Sequence, residues 1–126
     1  MLTSVTLFTG KLAAQREAAI AARIDPALST ALILEGLASG KAELDTLAAE
    51  AAFPLVRVAP ACMCCAGNLT LRVHLNRMLR AAPQRLYISL ASDEHIEKIR
   101  AFLLAPPYDA LLKLESTVDS DAQQRN

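Results

Sequence analysis

The three cysteines of this 126-residue chain all fall within four consecutive positions, Cys62-Met63-Cys64-Cys65. Thiols so spaced can chelate a borderline-soft cation, because thiolates form readily beside a divalent metal and zinc takes tetrahedral sulfur and nitrogen ligands. In extended backbone Cys62 and Cys64 point to one side and can share an ion. Cys65 joins them if the chain bends there, as the approach to Gly67 permits. Three thiolates leave a fourth position for water, a carboxylate or a second copy of the protein. An open site of this kind suits metal transfer better than the closed four-ligand set of structural zinc. Glu35 ends an apolar run, Thr30 to Leu34, and is the candidate fourth ligand, on the same edge as the thiols if the sheet is parallel. The expected site is therefore Cys62, Cys64, Cys65 and Glu35, holding zinc or another divalent transition metal. Two other uses of the thiols stand beside ligation. They can be buried as small apolar side chains, or two neighbours can close a strained disulfide that works as a redox switch.

The thiols follow Leu55-Val56-Arg57-Val58-Ala59, which reads as a strand, and precede an amphipathic helix opening near Asn68. A strand-to-helix turn is where α/β proteins place ligand chemistry. Upstream, Ser4 to Phe8 reads as a strand, Lys11 to Arg23 as a helix and Thr30 to Leu34 as a second strand. Leu44, Leu47, Ala48 and Ala51 recur at helical spacing, and Pro54 stops that helix. Downstream, Leu71, Leu75, Met78, Leu79 and Ala82 mark one helix face, and Arg85 to Ser89 is a fourth strand. Ser92 or Asp93 caps a helix bearing Ile96, Ile99 and Leu103, Pro106-Pro107 breaks it, and Ala110 to Leu114 makes a fifth strand. Strands alternating with helices over short connections predict an α/β fold, a parallel sheet of four or five strands flanked by helices. A single domain over residues 1–115 is expected, with residues 116–126 as a polar, flexible tail.

Bulk composition narrows the function classes. Hydrophobic residues make up 53% of the chain, enough for a core. Thirteen basic and thirteen acidic residues cancel, and with no basic patch nucleic acid is not an expected partner. No apolar stretch reaches the ~20 residues that span a bilayer, and no signal peptide is evident, so no membrane partner is expected. An odd, clustered set of thiols is unlike a secreted disulfide framework and points to a cytoplasmic location. His74 sits at the edge of an apolar helix face and reads as a boundary residue, and His95 as a surface one. Arg72, Arg77 and Arg80 read as the solvated side of their helix.

The turn after the first strand is Thr9-Gly10-Lys11-Leu12-Ala13-Ala14-Gln15-Arg16-Glu17. A phosphate-binding loop needs glycines for backbone approach, a lysine for the phosphates and a hydroxyl for magnesium. Only Gly10 is present as a glycine, and Glu17 near a helix start repels phosphate. No nucleotide site and no enzymatic activity are expected.

Together these segments resemble the CobW-type P-loop GTPases, a metal-trafficking family related to the urease and hydrogenase accessory GTPases. That family places a Cys-x-Cys-Cys motif after a strand, as in Cys62-Met63-Cys64-Cys65, and then a helix, here entered at Asn68-Leu69. Val5 to Gly10 resembles the family's opening strand and Thr-Gly. Beyond it Ala13 and Gln15 stand for glycines, Arg16 for the lysine and Glu17 for the magnesium-binding hydroxyl. Ser89-Leu90-Ala91 is similar to the family's Ser-Gly-Leu-Ala segment without its glycine, and Thr117-Val118-Asp119 to its Val-Val-Asp-Ala strand end. The resemblance implies a P-loop-NTPase-like half domain whose three cysteines are metal ligands and whose nucleotide chemistry is lost. A non-catalytic accessory protein in metal handling is the expected function, its partner a metalloenzyme or a full-length GTPase. The alternative is a protein–protein interaction module, self-associating or binding such a GTPase through an open sheet edge, with idle or redox-active thiols.

Overall fold

The computed structural model of the chain describes residues 2–36, 43–59, 69–91 and 96–123. Five strands run in one parallel sheet: β1 (Thr3–Thr9), β2 (Thr30–Glu35), β3 (Leu55–Val58), β4 (Arg85–Leu90) and β5 (Leu112–Asp119). Between them lie α1 (Ala13–Ala21), α2 (Glu43–Ala51), α3 (Leu69–Leu79) and α4 (Ile96–Leu104), and a short α5 (Ser120–Gln123) follows β5. The spatial order is β3-β2-β4-β1-β5. The first two crossovers move toward β3 and the last two toward β5. Right-handed crossovers then put α1 and α2 on one face of the sheet and α3 and α4 on the other.

The buried side chains divide in the same way. Phe8, Leu32, Leu34 and Tyr87 pack under Ile20, Leu44 and Ala48 on the α1–α2 face. Leu7, Ile33, Leu86 and Ile88 pack under Leu71, Leu75, Ile99 and Leu103 on the other. β2 is buried at every position, as a strand covered on both faces must be. Phe8 and Tyr87 meet edge to face with ring centroids 5.5 Å apart. No helix among the described residues is long and apolar enough to cross a membrane.

One boundary differs from expectation. β5 does not end at Leu114 but runs to Asp119 and leads into α5. The reason is that a ladder needs backbone groups, not apolar side chains. Ser116, Thr117, Val118 and Asp119 pair with Thr6, Leu7, Phe8 and Thr9 of β1, and a register shift takes up Glu115 as a bulge. With solvent on its outer side, the strand keeps polar residues and still contributes Val118 to the core.

Candidate functional site

Because all five strands are parallel, their carboxyl ends lie at one edge, at Thr9, Glu35, Val58, Leu90 and Asp119. The loops after β1 and β4, neighbours in the sheet, leave toward opposite faces, which in open α/β sheets creates a crevice for ligands. Here the chain fills that crevice itself. Arg16, on the first turn of α1, is 1% exposed. Its Nε donates to Ser89 Oγ at 2.7 Å, Nη1 to the Gly10 carbonyl at 2.7 Å and Nη2 to the Glu35 carbonyl at 2.6 Å. One guanidinium thus ties together the ends of β1, β2 and β4. Burial lowers its pKa, while Glu35, Glu17 and Asp121 act in the opposite sense, and an arginine so placed stays charged. Gly36, which follows Glu35, turns the chain at φ +130°, a conformation that favours glycine.

The segment leading into α1 is tied down as well. Leu12 stands at the N-cap and gives no side-chain hydrogen bond. The Asp121 carboxylate of α5 instead accepts from the Lys11 N–H at 3.2 and 3.3 Å, so an internal anion meets the positive end of the helix. Ser120 Oγ donates to the Thr9 carbonyl at 2.7 Å. Gly10, at φ +148°, is required beneath it, since a Cβ there would overlap Ser120 Oγ.

Glu17 turns away from this crevice. Both of its carboxylate oxygens accept from Arg57 of β3 at 2.8 Å, and Arg57 also donates to Asp45 of α2 at 2.8 Å. Hydrogen bonding to Glu17 above all pushes the Arg57 guanidinium's pKa up, against the effect of its burial. The residue expected to repel phosphate therefore clasps α1 to β3, with α2 joined through the same arginine.

Glu35 lies where the sequence places it, at the carboxyl end of β2. It is 5% exposed, and its Oε1 accepts from the Ala91 N–H at 2.6 Å. Its register partner is Val58, the last residue of β3, and the Gly36 N–H donates to the Val58 carbonyl at 2.8 Å. The segment carrying the thiols thus leaves the sheet beside Glu35. Cys62, Cys64 and Cys65 themselves lie outside the described residues, as do Asn68, Ser92, Asp93 and His95. Among the described residues no group of three histidine, cysteine or acidic side chains is placed to hold a metal. His74 is half-buried on the α3 side of β3, away from the carboxyl edge, beside Arg77 and Met78. Arg72 lies over the Phe102 ring, 5.5 Å from its centroid.

Three features were not anticipated from sequence: the inward course of Arg16, the Arg57–Glu17–Asp45 clasp and the Asp121 contact. The clasp left a signal, an arginine inside an otherwise apolar strand, which asks for a carboxylate partner. The other two depend on the path of the chain after β1 and β5. No protein-family model, curated protein or solved structure matches the chain.

Proposed function

We propose that this protein binds a divalent transition metal, zinc foremost, through Cys62, Cys64 and Cys65 with Glu35 as fourth ligand, and serves as a non-catalytic accessory in metal handling. The observation that carries the reading is the position of Glu35, a buried carboxylate at the edge where the cysteine segment leaves β3. Three thiolates and a carboxylate carry more negative charge than a divalent ion neutralises. The Arg16 guanidinium, bonded to the Glu35 main chain, offsets part of that excess. The same arginine supports a role without nucleotide, because its guanidinium takes up the crevice at the strand ends where a ligand would lie.

Cobalt(II) titration of the reduced protein tests the coordination directly. A tetrahedral thiolate set gives intense charge-transfer absorption, and the Glu35→Gln variant is expected to bind with altered visible bands and lower affinity. A weak octahedral spectrum, or bands identical in Glu35→Gln, contradicts the proposed ligand set. Ligation also requires the thiols to shed protons, so affinity falls as the pH drops below neutrality.

A further inference from the structure

α3 does not close fully over the sheet at β3. A groove of about 350 Å³ lies between them, with Pro54, Leu55 and Val56 on one wall and the second half of α3 and the turn after it on the other. The helical wall is a single stripe. His74, Arg77, Met78 and Ala81 stand at i, i+3, i+4 and i+7, a spacing that brings side chains to one face. Val56 and Met78 belong to the core beneath α3, so the groove reaches down to packed apolar side chains. Leu55 and Val56 are only half-buried along it.

The lining is apolar except for two groups, the Arg77 guanidinium and the His74 imidazole. No acidic side chain lines the groove, and residues 69–82 contain none. Among the described residues Arg77 enters no ion pair, whereas Arg57 of β3 is held by Glu17 and Asp45. An apolar cleft with a few placed polar groups is the usual form of a small-molecule site, and this volume is at the small end of the usual ~300–1,000 Å³. The two polar groups sit one turn apart on the same wall and both donate hydrogen bonds, so the occupant they orient is an anion. One guanidinium matches one carboxylate, which it binds through paired bonds. The rest of the lining calls for an apolar body, because polar atoms placed there would lose water and gain no partner.

We infer that the groove between β3 and α3 binds a small amphipathic monocarboxylate of the medium-chain fatty acid class. Its carboxylate lies on Arg77 and the His74 N–H, and its apolar body on Pro54, Val56 and Met78. Cations and apolar floor share one face of the sheet, as a ligand with one charged end requires. The inference does not rest on the thiols, and its test is made in the presence of a chelator.

The test titrates octanoate into the full, isotope-labelled, reduced chain and follows the amide shifts by NMR. Acetate supplies the charge without the body, and octanol the body without the charge. Saturable octanoate binding is expected, with shifts centred on residues 55–56 and 74–81, and either control should bind at least about tenfold more weakly. Arg77→Gln should weaken octanoate binding at least about tenfold, the loss of about one charge-assisted hydrogen bond, and Arg77→Lys should restore part of it. Arg77 is exposed, so these variants keep the fold, which the unshifted remainder of the spectrum verifies. No saturation in the millimolar range, octanol bound as tightly as octanoate, shifts centred elsewhere, or indifference to Arg77→Gln would overturn the inference. So would a concentration-dependent dimer, seen by sedimentation without octanoate, that shifts the same amides, since it would give the groove to a second copy.

Discussion

A buried cation with three main-chain and side-chain acceptors decides the character of the carboxyl edge. Removing Arg16 leaves the Gly10 and Glu35 carbonyls and Ser89 Oγ short of a donor and deprives three nearby carboxylates of their counter-charge. Arg16→Met is therefore expected to lower unfolding free energy by about 3–5 kcal/mol in urea denaturation, since each buried acceptor left without its donor costs about 1–3 kcal/mol. A loss under ~1 kcal/mol would show that the guanidinium does not hold the strand ends together. Tyr108 gives a second test. Its hydroxyl donates to Asn76 Oδ1 at 2.7 Å, and burial pushes its pKa up, opposed by the charge of Arg72. The folded state keeps the phenol proton at a pH where the unfolded chain has lost it, so stability falls as pH rises through that range. The stability advantage of wild type over Tyr108→Phe should shrink between pH 9 and 11, read from urea midpoints; a constant gap would count against the buried phenol. At this scale the sequence declares residue types but not where long side chains go. The thiol cluster and Glu35 stand out in the sequence as candidate ligands, the one by its spacing and the other by its place at a strand end. Arg16 does not, because the acceptors it meets come from residues 10, 35 and 89, which only the folded sheet brings together.

Among the elements, β3 has the most varied surroundings. One face is held to α1 and α2 through Arg57, one edge pairs with β2, the other pairs with no strand among the described residues, and its carboxyl end leads to the cysteines. The clasp is largely screened from water, with 15% and 10% of the Arg57 and Glu17 side chains exposed. A double-mutant cycle of Arg57→Met and Glu17→Gln should give a coupling of about 1–3 kcal/mol that changes little between low and high salt. Coupling near zero, or coupling abolished by salt, would mark the pair as a surface contact. Strand and helix order was legible nearly throughout, since apolar runs and prolines at 54, 83 and 106 punctuate the chain. β5 was misjudged because its outer half is polar, and an outer strand is specified by the neighbour it pairs with more than by its own hydropathy.

The whole molecule is one parallel sheet whose strands all end at a single edge. Its parallel sheet offers a ligand crevice, yet Arg16 and Asp121 fill it, and the strongest chemical signal in the chain lies one strand away, after β3. The proposed metal site lies where β2 and β3 end side by side. The measurement that tests the central claim most directly is a zinc titration of the fully reduced protein against a chromophoric chelator, with Cys64→Ser alongside. The account predicts one zinc per chain, bound tightly enough to compete with the chelator, and most of that affinity lost in the variant. No competition by the wild type, or the same stoichiometry and affinity in Cys64→Ser, would contradict it.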